Sequence, residues 1–116
     1  LATALGLDEE VVQRVRYGGR IHDIGKIGTP DAILEKPGPL TPEEWVEMRR
    51  HPAIGGDCLR GMKLMQPYLP MVELHHENWD GSGYPSGLRG EETPLEARIV
   101  KIADYYDAIT SRRPYR

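Results

Sequence analysis

Residues 20–31 read RIHDIGKIGTPD, and the adjacent His22 and Asp23 in this stretch decide how the rest of the chain is interpreted. The pair offers a neutral nitrogen ligand and an anionic oxygen ligand from one point of the backbone. Residues 74–85, LHHENWDGSGYP, add two adjacent imidazoles. Because imidazole and carboxylate donors together suit first-row transition metals, the two stretches predict a binuclear metal site that hydrolyses a phosphoester.

Helix geometry limits how the histidine pair can act. His75 and His76 lie on a predicted helix, about 100° apart around its axis. Both can therefore bind metal only if the helix end unwinds or if each histidine binds a different metal ion. Glu77 and Asp80 follow closely and are candidates to orient the imidazoles through hydrogen bonds.

Two further side chains complete the candidate ligand set. His51 precedes Pro52, which favours extended or turn backbone at His51, and on its own it would be a surface histidine at a helix junction. Asp104 follows two apolar residues on what is predicted to be the buried side of a helix. A carboxylate on a buried face should be paired or bound to a metal, although Asp104 and Asp107 could also form a solvated acidic patch.

Other candidates also have simpler structural explanations. His22 and Asp23 could end a helix, where the helix dipole favours histidine and the aspartate is solvated. Lys26, three residues after Asp23, favours a site, because its ammonium can reach an anionic ligand held beside the pair. Arg113 and Arg116 are candidates for phosphate binding, but could equally belong to a solvated tail.

The composition excludes several classes of protein. The chain has 116 residues, enough for one domain. Its net charge of −3 provides no basic field for a nucleic acid polymer or an anionic membrane, so local cations must attract any phosphate-bearing ligand. The single cysteine, Cys58, cannot form an internal disulfide, which fits a reducing compartment. No apolar run reaches the roughly 18 residues of a membrane span.

Local signals predict an all-α fold, a helical bundle with long ordered loops. Helix starts are indicated at Asp8, Thr41 and Thr93, the last two each followed by proline at the first helical position. Thr41 also forms a capping box with the glutamate three residues later. Further helices are expected over residues 51–62 and from Pro70 to the histidine pair, and no segment shows the period-2 alternation of a half-buried strand.

In order and spacing, three segments resemble the HD-GYP family, bacterial phosphodiesterases of cyclic di-GMP within the HD phosphohydrolase superfamily. The segments are HDIGKIGTPDAILEKPGPLTPEEW (22–45), HPAIGGDCL (51–59) and HHENWDGSGYPSGLRGEETPLEARIVKIADYYDAITSRRPYR (75–116). An HD pair alone is a weak motif. Its combination with the histidine pair and the tripeptide at residues 83–85 is specific.

The resemblance implies a role for each matching residue. The metal ligands would form two groups, one of His22, Asp23 and Asp104 with Asp23 bridging, the other of His51, His75 and His76. Lys26 would stabilise the phosphate or activate water. Lys26 and Asp23 are the two candidate catalytic residues. The candidate substrate-binding residues are Lys26, Asp107, Arg113, Arg116, Gly83, Tyr84 and Pro85. A hydroxide that bridges the metals would attack phosphorus.

The resemblance also implies cofactors, partners and boundaries. The cofactors would be two divalent transition-metal ions, or three, with iron or manganese expected. Cyclic di-GMP would be the substrate and a receiver or other sensory domain would precede residue 1, while GGDEF-domain proteins and a second copy of the chain are further candidate partners. Residues 1–116 would be a partial domain without its upstream first-ligand helix and its downstream helices. The domain would be cytoplasmic, without direct membrane contact, even within a membrane-anchored protein.

Two other functions are compatible with these motifs. The domain could be a non-catalytic sensor of cyclic di-GMP or a protein-docking module, or it could be an HD phosphohydrolase that acts on another nucleotide. Degenerate members of the family usually lose metal ligands, whereas this chain keeps every ligand within its span, which favours the enzyme. By resemblance, the loop around Tyr84 favours cyclic di-GMP.

Overall fold

The computed structural model of the protein describes residues 1–111, and this part of the chain is all-α, as the sequence predicts. Its α-helices are α1 (Glu9–Ile21), α2 (Asp31–Leu34), α3 (Pro42–Met48), α4 (His51–Arg60), α5 (Leu69–Leu74) and α6 (Leu95–Thr110). Short 3₁₀ helices cover Ile24–Gly28, Lys63–Tyr68 and Gly90–Glu92. Within residues 1–111, no helix combines the length and the apolar character needed to cross a bilayer.

The helix starts follow the capping signals. α1 begins directly after Asp8, and α3 begins after Thr41. The predicted capping box is present, because the N–H of Glu44 donates to the Thr41 hydroxyl at 3.2 Å and the N–H of Thr41 donates to the Glu44 carboxylate at 3.0 Å. α6 begins one residue later than predicted, with Pro94 rather than Thr93 in the N-cap position.

The histidines lie at helix ends. α5 ends at Leu74, so His75 and His76 follow it in turn backbone, which is the unwinding that their joint use requires. The expectation of extended or turn backbone at His51 is wrong, since His51 is the first residue of α4. The following proline is tolerated because the first helical turn has no partner for the N–H that proline lacks.

Helix α5 lies at the centre of the packing. Clusters of buried apolar side chains pack α1 on α6, α2 on α3 and α4 on α5. α5 contacts α1, α4 and α6, and its Met71 and Val72 have no exposed surface. The turn that follows α5 is therefore held among the other helices that carry candidate ligands.

Gly25 sets the distance between the turn after α1 and helix α4. A Cβ atom on Gly25 would overlap the carbonyl oxygen of His51 and come within 2.6 Å of the backbone nitrogen of Gly55. Any side chain at this position would push α4 away. The close approach of the two backbones is what brings His51 beside Asp23.

Gly25→Ala should therefore destabilise the protein, because the added methyl group must displace α4 at a cost of about 1–3 kcal/mol in the free energy of unfolding. Gly19→Ala is the matched control. Nothing lies within 4 Å of a Cβ atom on Gly19, and alanine should stabilise α1 by about 0.5–1 kcal/mol. Urea unfolding measures both changes, and equal stability of the two variants would contradict the packing argument.

Candidate metal centre

The segments that carry the candidate ligands meet at one place. The His22–Asp23 pair follows α1, His51 begins α4, the histidine pair follows α5, and Asp104 lies within α6. Their ligand atoms form two groups, and within each group all atoms lie within 4.8 Å of one another. The groups are Asp23, His51, His75 and His76, and His22, His75 and Asp104. The structure thus brings all six predicted ligands together, with His75 in both groups.

The Asp23 carboxylate belongs to the first group and also faces His22 of the second. Its Oδ1 is 3.3 Å from Nε2 of His51 and 3.6 Å from Nε2 of His75. Its Oδ2 is 3.3 Å from Nε2 of His22 and 3.2 Å from Nζ of Lys26. A carboxylate with one oxygen facing each group has the placement of a bridging ligand.

Backbone carbonyls at helix ends orient three of the imidazoles. Each Nδ1–H donates to a carbonyl three or four residues earlier: His22 to Gly19, His51 to Met48 at 2.7 Å, and His75 to Met71 at 2.8 Å. A carbonyl oxygen can only accept, so Nδ1 carries a proton in each ring. Nε2 is then the atom that is available to a metal, and it is the Nε2 atoms that converge.

The converging atoms fit a metal ion. Nε2 of His51 and Nε2 of His75 are 3.4 Å apart, and both carry lone pairs when the rings are neutral. Asp23 Oδ1 is buried beside them, and residues 1–111 give it no hydrogen-bond donor. A cation would stabilise these facing lone pairs. The distance between the two nitrogens also fits, because tetrahedral ligands about 2.0–2.1 Å from one metal lie roughly 3.4 Å apart.

Burial and neighbouring charges shift the pKa values at the centre. Burial opposes protonation of His22, but hydrogen bonds to Asp104 and Asp23 prevail and raise its pKa to about 10. Burial would raise the pKa of Asp23, yet the hydrogen bond and the charge of the neighbouring His22 hold it well below its usual range. Burial, assisted by the neighbouring imidazoles, lowers the pKa of His76 to about 2. Without metal, the centre at neutral pH therefore holds a protonated His22 between ionised carboxylates.

A cavity of about 190 Å³ opens beside the centre. His51, His76, Tyr84, Lys26 and Lys101 are among the residues that line it. Two lysines that line one cavity beside a metal centre make this cavity suitable for an anion. The sequence analysis did not single out Lys101. Its position three residues before a candidate ligand on the same helix is the signal that could have revealed it.

Gly83 and Tyr84 are held against the histidine pair. A Cβ atom on Gly83 would overlap the carbonyl oxygen of His76 and the backbone nitrogen of Asn78, so this approach requires glycine. The Tyr84 ring stacks on the His76 ring, with centroids 4.9 Å apart and planes 14° apart. Pro85, the third residue of the predicted loop, is exposed after a cis peptide bond. Tyr84 is the member of this tripeptide that lines the cavity.

The predicted role of Glu77 and Asp80 as orienters of the imidazoles is wrong. Glu77 is buried, and its carboxylate accepts from the backbone N–H groups of three loop residues, Ser86, Gly87 and Leu88, at 2.7, 3.1 and 3.0 Å. Asp80 accepts hydrogen bonds within its own turn. Glu77 thus organises the loop that follows Tyr84, while backbone carbonyls orient the imidazoles.

Asp104 reaches the centre for a different reason from the one predicted. Ile102 is 58% exposed and Ala103 is also exposed, so these residues do not mark a buried face. Asp104 instead continues the buried face of Ala97 and Val100, which precede it by two helical turns and by one. Its Oδ1 lies 3.4 Å from Nε2 of His22.

Asp107, another predicted substrate contact, is not among the residues that line this cavity. Asp107 is exposed and lines a second cavity of about 490 Å³, which reaches the centre from the α1 side and is also lined by His22. The Asp107 carboxylate accepts from the Ser111 hydroxyl at 3.0 Å. Arg113 and Arg116 lie outside the described residues.

Comparison with known proteins places this centre in a family. Residues 1–116 match the family model of the HD domain. The chain therefore belongs to the HD domain family. Its curated relatives, described next, confirm the resemblance to the HD-GYP family that the motifs indicated.

Three relatives illustrate the similarity, each aligned over 118 residues. The chain is 49% identical to the cyclic di-GMP phosphodiesterase response regulator RpfG of Xanthomonas campestris pv. campestris and 46% identical to a cyclic di-GMP phosphodiesterase of Thermotoga maritima. It is 42% identical to 3'3'-cGAMP-specific phosphodiesterase 2 of Vibrio cholerae. The alignments cover 100% of this chain but 31%, 32% and 23% of the relatives, so the chain spans about a third of their length or less.

Asp23→Asn should remove metal from both groups, because the carboxylate has one oxygen facing each group and a neutral amide is a weaker ligand for divalent cations. The matched control is Asp31→Asn, which changes an exposed aspartate at the start of α2. Elemental analysis of protein purified without oxygen measures the metal bound per chain. Wild-type metal content in Asp23→Asn would contradict the bridging role.

Metal binding should also become tighter as pH rises. His22 holds a proton up to a pH of about 10, and this proton must leave before Nε2 can bind metal. For one displaced proton, the apparent association constant should rise about tenfold per pH unit below the pKa. Competition with a chelating dye at several pH values measures the slope. His22→Gln should flatten it, whereas a pH-independent affinity of the wild-type protein would show that no such proton is displaced.

Proposed function

We propose that this chain is the catalytic domain of a metal-dependent phosphodiesterase that hydrolyses cyclic di-GMP. The supporting observation is the Asp23 carboxylate between two groups of ligand atoms, with the ammonium of Lys26 at 3.2 Å. Two divalent ions would suit the mixed donor set, with iron or manganese as the proposed metals. When bound, such ions supply an activated water and offset the charge that develops on the phosphate oxygens.

The residues of the chain would divide the remaining tasks. His22, Asp23 and Asp104 would hold one ion, and His51, His75 and His76 the other, with Asp23 shared. Lys26 would donate to a non-bridging oxygen of the reacting phosphodiester, since its ammonium already lies beside the carboxylate between the two groups. Tyr84 would form the wall against which the substrate rests.

The second phosphodiester of the substrate needs contacts of its own. We assign these to Arg113 and Arg116 on the basis of the family motif, with Asp107, Gly83 and Pro85 around the entrance. A net charge of −3 makes such local cations necessary for a dianionic ligand.

A close alternative substrate is 3'3'-cGAMP, because a relative at 42% identity is named for it. Cyclic di-GMP is preferred since the relatives named for it are 46% and 49% identical. The two substrates share the paired phosphodiesters that the centre would bind. A purely sensory role is less well supported, because all six ligand residues are present and converge.

The Xanthomonas relative is named a response regulator, and this supports a receiver or other sensory domain in the remainder of the protein. Control of a cyclic dinucleotide would place the domain in the cytoplasm. A second copy of the chain and GGDEF-domain proteins are the further partners we propose from the motif resemblance.

The deciding experiment incubates the full-length, metal-loaded protein with cyclic di-GMP and, separately, with 3'3'-cGAMP. Chromatography of the products shows which is consumed and whether the linear dinucleotide or the mononucleotide accumulates. Faster hydrolysis of cyclic di-GMP is the expected result. Protein with two bound ions that hydrolyses neither compound would overturn the proposal.

Lys26→Ala should lower kcat more than it raises KM, because the charge on its partner oxygen grows during attack. Loss of one charged hydrogen bond corresponds to about 1.5–3 kcal/mol, or roughly a ten- to hundredfold decrease in rate. Lys63→Ala, an exposed lysine in the 3₁₀ helix before α5, is the control and should behave as wild type. Normal kcat in Lys26→Ala with normal metal content would remove Lys26 from the reaction.

A further inference from the structure

Lys101 is a cation to which the family resemblance assigns no role. It lies on α6, is partly buried, and lines the same cavity as Lys26, His51 and His76. Within residues 1–111, its ammonium makes no hydrogen bond and no ion pair within 4.0 Å. Lys101 therefore brings a positive charge to the wall of the cavity without a fixed counter-ion in this part of the chain.

The carboxylates nearest to Lys101 have other partners. The charges that act on its ammonium are those of Asp104 and Glu77. The Glu77 oxygens accept from three backbone N–H groups, and Asp104 is paired with His22. Neither carboxylate makes a direct contact that would neutralise Lys101.

A partly buried cation in this position is stabilised by an anion. Removing an ammonium from water without a partner costs free energy, and bound metal ions would add further positive charge nearby. The cavity of about 190 Å³ is smaller than the roughly 300–1,000 Å³ of pockets that hold whole drug-sized ligands. Its size suits one phosphate-sized group rather than an entire dinucleotide.

We propose that Lys101 binds a non-bridging oxygen of the phosphodiester that occupies this cavity, from the α6 side, while Lys26 binds the same group from the side of Asp23. This inference rests on the proposed phosphodiesterase function for the identity of the anion. Lys101 is thus a second substrate-binding lysine, and the roles that the family resemblance implies do not include it.

A different role for Lys101 would be to offset the charges of Asp104 and Glu77 without touching a ligand. The two roles differ in one measurable quantity. A lysine that only offsets these carboxylates would affect metal content or stability, but would leave the affinity for a free anion unchanged at equal metal occupancy.

The test measures the affinity of the full-length, metal-loaded protein for inorganic phosphate by calorimetry. Lys101→Gln and Lys101→Met should each weaken phosphate binding about ten- to a hundredfold at equal metal occupancy, as expected for one charged hydrogen bond. Lys101→Arg should restore most of the affinity, because it keeps the charge. Lys63→Gln is the control and should leave the affinity unchanged.

The outcomes separate this inference from the proposed function. Weaker phosphate binding in both neutral variants supports the role of Lys101, even if the wild-type protein hydrolyses no cyclic dinucleotide and the substrate assignment fails. Unchanged affinity in both neutral variants would overturn it, and so would a wild-type protein that does not bind phosphate. If cyclic di-GMP is hydrolysed, KM should rise in Lys101→Gln while metal content stays constant.

Discussion

The half-buried carboxylate of Asp23 is the constraint on which the rest of the structure depends. It faces Nε2 atoms of three histidines at 3.3 to 3.6 Å, and their Nδ1–H groups are held by carbonyls at helix ends. The imidazoles therefore cannot turn away from the carboxylate or from one another. A cluster of this kind is stabilised when a cation occupies it, and the metal would then link α1, α4, α5 and α6 to one another.

The two cavities beside the cluster differ in chemistry, and the difference indicates how an anionic substrate would approach. The charged residues that line the cavity beside Tyr84 are Lys26, Lys101 and Asp104. The cavity on the α1 side is lined by Asp23, Asp104 and Asp107, with Arg16 and His22. Among these residues, cations outnumber carboxylates in the first cavity and carboxylates outnumber cations in the second, so a phosphodiester is attracted more strongly to the first. Electrostatics thus favours the side of Lys26 for the reacting group.

Local sequence signals were sufficient for the fold class, for most helix starts and for the identity of the converging residues. They depend on capping chemistry and on ligand types, which act over a few residues. Long-range packing caused the failures. His51, which was expected in extended or turn backbone, is instead the first residue of α4. Glu77, which was expected to orient an imidazole, instead accepts hydrogen bonds from a loop nine to eleven residues later in the chain. The only sequence signal for Lys101 is its three-residue spacing from Asp104, and its place at the cavity depends on how α6 packs against the rest of the chain.

The most direct test of the central claim is the structure of the metal-loaded protein around the Asp23 carboxylate, determined crystallographically with anomalous scattering to locate the metals. The account predicts two ions about 3.5–4 Å apart. Asp23 should contribute one oxygen to each ion, and Asp104 and the four histidines should be the other protein ligands. A single ion, or two ions of which only one contacts Asp23, would contradict it.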